Sequence, residues 1–222
     1  MGKKLKALLA LNLEDIPVAL GFAAGPWLLV HLVTCVVMLV VRPDESIMIS
    51  GTLLPITVGL ACFAVTSGNT MLTFSHAVKM STTRKTALKL VLCQTAIEAL
   101  QALALGAFLL FWERFASMPV WRFLSGNPEL LVDDFGFVWW ALPLGALVGY
   151  LGGLWYGTMV LRFGGKAIWF FSISWFACLT VFQMLPWRTH EITNILSPAA
   201  CLTLALAVLW SVRTLLRLSI TK

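Results

Sequence analysis

Charge is scarce in this sequence. Asp, Glu, Lys and Arg make up 12% of its 222 residues, against 59% hydrophobic residues and a mean hydropathy of +0.90. A water-soluble domain of this size has no use for so much apolar surface. The net charge of +6 is therefore not read as a nucleic-acid footprint. Catalytic signatures are missing as well. Three histidines, His31, His76 and His190, are spread along the chain without an HExxH pattern. Ser67-Gly68 has Val65 where a nucleophile elbow needs glycine. Gly165-Lys166 is followed by Ala167, with Val160 where a phosphate loop needs its first glycine, so the chain is not expected to hydrolyse ATP itself. The five cysteines, Cys35, Cys62, Cys93, Cys178 and Cys201, all lie in apolar runs and form no CxxC pair. Neither a disulfide framework nor a metal site is indicated, and such thiols are read as packing residues.

What the sequence has is long apolar runs, and runs of about 20 residues mark bilayer-spanning helices. Six are read, at about 24–41, 51–74, 87–112, 135–161, 167–185 and 193–212. Residues 1–22 precede them. Leu5, Leu8, Leu9, Leu13, Ile16 and Leu20 recur there at helical spacing beside Lys3, Lys4 and Lys6, which predicts an amphipathic helix on the membrane surface, with a break at Pro17. It is not read as a signal peptide, because Asn12, Glu14 and Asp15 interrupt its short apolar stretch. Arg42-Pro43 ends the first span. Residues 113–134 are read as the longest loop, with a turn at Ser125-Gly126-Asn127-Pro128. One domain covers 1–222, an all-α membrane protein with six transmembrane helices. Trp27, Trp112, Trp139, Trp140, Trp169 and Trp187 lie near the ends of runs and read as an aromatic belt.

The few charges are sorted by position. Lys3, Lys4, Lys6, Lys79, Arg84, Lys85, Lys89, Arg162, Lys166, Arg213, Arg217 and Lys222 fall in alternate connections and at the two termini. Arg42, Arg114, Arg122 and Arg188 fall in the others, with most of the acids. Cationic loops stay cytoplasmic, so both termini are expected inside. The stretch Ser75 to Lys89, SHAVKMSTTRKTALK, is the most basic connection and holds no acid. It is either a topology anchor alone or also the handle for a cytoplasmic partner.

Two constellations lie inside the spans. Gly145, Gly149, Gly153 and Gly157 recur every fourth residue of the fourth span. They form a small-residue ridge that lets another backbone approach, within one subunit or between two. Gln94, Glu98 and Gln101 share one face of the third span. Glu98 is the only acid read in the membrane interior, where an ionisable group is costly and faces the bundle or a watered cavity. Either it ties the third span to Asn69 or Thr66 of the second, or it touches a proton or the polar or cationic part of a cargo. His31, alone in the first span, reads as a packed, hydrogen-bonded side chain.

The surface helix before six spans, the segment FSHAVKMSTTRKTALKL after the second span, and GTMVLRFGGKAIW at the end of the fourth together resemble the membrane subunit of bacterial ATP-binding-cassette transporters of the type-2 permease family. The likeness covers most of the chain in layout and is specific at the two loop sequences. It implies two six-helix subunits, this chain and a second permease subunit of the same or a related kind, above two separate ATPase subunits that bind ATP and Mg. In that family the connection after the second span is a coupling helix held in a groove of the ATPase. Here it maps to His76, Lys79, Met80, Thr83, Arg84 and Lys85, and residues 1–22 resemble the elbow helix. No segment is long enough for a large outer domain. The family's cargoes are diverse, including drugs, peptides, polysaccharides and lipids. The reading is thus a multi-pass permease subunit of the bacterial cytoplasmic membrane, an exporter, with lipid and an ATPase as partners and no nucleic acid. Two other classes fit less of the sequence. One is a substrate-binding membrane subunit of a vitamin-uptake complex. The other is an intramembrane hydrolase using Glu98 and His31.

Overall fold

The computed structural model describes residues 16–43, 45–48, 50–79, 83–134, 140–173 and 190–217. Helices dominate. They are α1 (Ile16–Val41), α2 (Ser50–Lys79), α3 (Arg84–Trp112), α4 (Met118–Ser125), α5 (Ala141–Phe163), α6 (165–173 as described) and α7 (His190–Arg217). Four stretches are long and apolar enough to cross a membrane: Ala24–Val41, Leu53–Lys79, Arg84–Ser125 and Ala141–Phe163. They correspond to the first four spans read from sequence. Most of the fifth, 174–185, lies outside the described residues. The sixth falls within α7, whose 28 residues would reach about 42 Å at 1.5 Å per residue.

The surface says membrane as plainly as the lengths do. Leu29, Leu32, Val36 and Val40 of α1 are all more than half exposed, as are Leu60 and Leu72 of α2 and Phe111 of α3. Apolar side chains exposed in this density are tolerated only where lipid is the solvent. The buried hydroxyls show the same constraint. Thr70 Oγ1 donates to the Thr66 carbonyl at 2.7 Å, Thr158 to Leu154 at 2.7 Å and Ser211 to Ala207 at 2.7 Å. A hydroxyl bonded to the preceding turn of its own helix needs no water.

Three expectations are corrected. Helix α1 starts at Ile16, so residues 16–22 belong to the helix of the first span and not to a separate surface helix; residues 1–15 lie outside the described set. Pro17 stands in the first turn, where its missing N–H costs nothing, so it opens a helix and does not break one. The expected loop 113–134 is helical in its first half. The chain leaves α3 through a π-helical turn, Glu113–Ser117, and continues into α4. Pro119 supplies a reason: it has no N–H for the carbonyl four residues back, and a wider turn before it relieves the clash. Helix α4 closes at Gly126, which adopts the left-handed φ of 71° and donates to the Phe123 carbonyl at 3.3 Å. The Ser125–Pro128 turn is present, with Glu129 N–H donating to Asn127 Oδ1 at 3.0 Å. A short pair of strands accompanies the helices. Strand β1 (Glu45–Met48) pairs in parallel with β2 (Leu131–Asp134), Glu45 opposite Leu131 and Met48 opposite Asp134.

The chain divides into two compact units, to each of which α2, α3 and α5 contribute a part. The first comprises residues 1–65 and 94–150. Its core joins Trp27 of α1, Leu54, Val58, Ala61 and Cys62 of α2, Ala102 and Leu109 of α3, and Leu142 and Ala146 of α5. A satellite cluster sets Trp121 of α4 and Leu130 against Met38 of α1. The second unit comprises residues 66–93 and 151–222. Its core is Phe74, Ala77, Ala87, Leu88, Val91, Leu154 and Leu215.

The glycine ridge lies against α2 of the same chain. In the first unit, a Cβ on Gly145 would strike the Pro55 carbonyl oxygen, and one on Gly149 would strike that of Gly59. In the second unit, a Cβ on Gly157 would lie 2.9 Å from the Ser67 carbonyl oxygen and 2.7 Å from Thr70 Cβ. Gly153 is buried. Of the two options left open by spacing, the packing within one subunit accounts for Gly145, Gly149 and Gly157.

Candidate functional site

Two places carry the residues singled out by sequence. The first is where α2 ends and α3 begins, in the second unit. Helix α2 runs on to Lys79 and α3 starts at Arg84, so no separate short helix stands between the spans among the described residues; Met80 falls among residues 80–82, outside the described set. Thr83 is the cap of α3. Its carbonyl accepts the Ala87 N–H at 2.9 Å, and its hydroxyl lies 3.4 Å from the Thr86 N–H and 2.8 Å from the Thr86 hydroxyl. His76, Lys79, Thr83, Lys85 and Lys89 are exposed. His76 and Lys79, three apart, share one face of α2; Lys85 and Lys89, four apart, share one face of α3. Beneath them Ala77, Ala87, Leu88 and Val91 are buried.

Arg84 is different. It is partly buried, and its Nη1 donates to the Leu216 carbonyl in the last turn of α7 at 3.5 Å. A cation there also meets the negative end of that helix. Arg162 sits over the rings of Phe163 and Trp210, 5.2 and 5.4 Å from their centroids. The chain reverses at Gly164, whose φ is 60°, before α6 starts one residue later. Glycine is needed in the arginine–phenylalanine–glycine turn for that left-handed residue. Lys79, Arg84, Lys85, Lys89, Arg162, Lys166, Arg213 and Arg217 all fall in the second unit, where Glu191 is the one acid among the described residues.

The second place is on α3 in the first unit. Gln94 and Glu98 are buried, 3% and 6% exposed, and Gln94 Nε2 donates to Glu98 Oε1 at 3.1 Å. Gln101, one turn further on, is partly exposed. The oxygens of both glutamine amides are buried and have no donor. The second unit has its own buried polar set at Thr66, Ser67, Asn69 and Thr70 of α2, in which Thr73 Oγ1 donates to Asn69 Oδ1 at 3.4 Å. Among the described residues no group of three His, Cys, Asp or Glu side chains is placed to hold a metal ion.

Sequence reasoning missed a third cluster. His31 is stacked on Trp27, with centroids 4.9 Å apart and planes at 11°, and meets Trp121 of α4 at 5.6 Å. Its Nε2 lies 3.4 Å from Ser117 Oγ, in the π-helical turn. His31 is the packed side chain expected, but Trp27 is buried and not part of a belt, whereas Trp112, Trp140 and Trp169 are about half exposed or more. No signal in the sequence links residue 31 to residues 117 and 121, because the helical continuation past Glu113 was not legible. An open, apolar groove of about 430 Å³ in the first unit is lined by Leu103, Ala107, Leu110, Phe111, Leu142 and Pro143, with Arg114 on its wall.

No protein-family model, curated protein or solved structure matches this chain.

Proposed function

We propose that this chain is the permease subunit of an ATP-driven transporter in the bacterial cytoplasmic membrane, working as an exporter with separate ATPase subunits. The observation that carries the reading is the exposed basic end of α2 and α3. Lys79, Lys85 and Lys89 project on faces opposite a buried apolar core, with no acid beside them in sequence. A topology anchor needs only charge. Here Arg84 is also bonded to the end of α7, so a partner pressing on this end would act on three helices. That coupling favours the handle over the bare anchor.

In this reading the basic end stands in for the coupling helix of the resembled family, and the six spans, both termini inside, pair with those of a second permease subunit. ATP and Mg bind on the partner ATPase. ATP binding shifts the population between inward-open and outward-open states, and must favour one of them by several kcal/mol to drive cargo across. The stripe Gln94, Glu98 and Gln101 borders the cargo path.

The test is affinity purification of the tagged chain from native membranes in mild detergent. An ATPase subunit is expected to come along with the wild-type chain. Reversing charge at Lys79, Arg84 and Lys85 together is expected to release it while the chain remains inserted. Single reversals are expected to do little, because each rim charge contributes modestly. A vitamin-binding subunit would instead carry tightly bound ligand when purified alone, and a hydrolase would be active without any partner.

A further inference from the structure

The hydrogen bonds of α3 define what kind of cargo the stripe takes, given the permease reading above. Gln94 is clamped: its Nε2 donates to Glu98 Oε1 at 3.1 Å. With Glu98 ionised, turning the amide over would set its oxygen against a carboxylate oxygen, which fixes the orientation. Gln94 Oε1 is thereby left buried without a donor, in a residue 3% exposed. Gln101 Oε1 is in the same condition, one turn beyond Glu98. A buried acceptor with no donor carries its full desolvation cost, and two of them flank Glu98, the only acid of α3.

We infer that Gln94, Glu98 and Gln101 form a binding site for a protonated primary amine carried by the cargo. An ammonium group brings three N–H donors and no acceptor, which complements a carboxyl group and two amide oxygens. Its positive charge matches the acid Glu98, an ionisable group that is costly to bury inside the membrane. An anion is disfavoured by Glu98. A divalent metal ion would be poorly neutralised by one carboxylate, and no denser ligand group exists among the described residues. A quaternary ammonium has the charge but no N–H, so it leaves the glutamine oxygens unmet. The apolar groove beside Arg114 offers no such acceptors.

The experiment uses the full chain in nanodiscs of zwitterionic lipid, with empty nanodiscs correcting for partition. Binding of hexylammonium and of hexyltrimethylammonium is measured by calorimetry. Hexylammonium is expected to bind saturably and at least about tenfold more tightly than the quaternary ion, the size of one charge-assisted hydrogen bond. Glu98→Gln is expected to weaken hexylammonium about tenfold without altering the melting profile, and Gln94→Met to weaken it as much while lowering the melting temperature, because Glu98 loses the Gln94 donor. Equal affinity for both ions, saturable binding of neither, or unchanged hexylammonium affinity in whichever variant remains folded overturns the inference. Co-purification of an ATPase with no amine binding removes this inference and leaves the permease reading standing; amine binding without an ATPase does the reverse.

Discussion

At the scale of single residues, Glu98 separates a tie from a site. Its carboxyl group accepts the one hydrogen bond that fixes Gln94. Glu98→Leu removes that acceptor and strands the Gln94 amide N–H beside an oxygen that already lacks a donor. Folded yield and thermal stability in detergent are expected to fall, by about 1–3 kcal/mol for the unsatisfied group. Glu98→Gln keeps the shape and an acceptor oxygen. It is expected to fold normally and to reduce transport in membrane vesicles. Full transport by Glu98→Gln beside an unstable Glu98→Leu would make Glu98 a structural tie only. The spacing of 94, 98 and 101 made the shared face legible in sequence. It did not show that Gln94 spends its amide N–H on Glu98, because hydrogen-bond pairing depends on rotamers and not on spacing.

At the scale of elements, the chain reads well where one residue type has one physical use and poorly where a charge is ambiguous. Arg42-Pro43 ended the first span as expected: α1 stops at Val41, and Arg42 takes the left-handed φ of 50°. Gly164 turned the chain as expected. Glu113 and Arg114 were read as a span leaving the membrane, yet Glu113 is 4% exposed and the helix carries on. A buried acid on a continuing helix has the same sequence signature as an exit. The strands escaped notice because four residues are too few to show alternation. The glycine seam offers a clean test of packing. Gly149→Ala forces α5 away from the Gly59 carbonyl, whereas nothing lies within 4 Å of a Cβ at Gly25. Gly149→Ala is expected to destabilise by about 1–3 kcal/mol, and Gly25→Ala to leave the melting temperature in detergent unchanged. Equal melting temperatures for the two variants would show that the seam does not depend on close approach.

At the scale of the whole molecule, the account rests on a membrane chain whose charges are sorted. The apolar exposure of α1 and the four long helices were legible from composition alone, because lipid requires both. The lysines and arginines set the expected orientation, with both termini inside. In a background with the native cysteines replaced, Glu129→Cys is expected to react with an impermeant thiol reagent on intact cells, and Thr83→Cys only after permeabilisation. Both positions are exposed. Labelling at residue 83 from outside would invert the topology and remove the basic end from reach of any cytoplasmic ATPase. The most direct measurement of the central claim is ATP turnover. The homogeneous chain in nanodiscs is expected to show none, consistent with Ala167 and Val160 at the places a phosphate loop cannot spare. The purified complex with its ATPase is expected to hydrolyse ATP, and the Lys79, Arg84 and Lys85 reversal to abolish both assembly and the dependence of turnover on this chain. Turnover by the chain alone, or an undiminished complex after the triple reversal, would contradict the account.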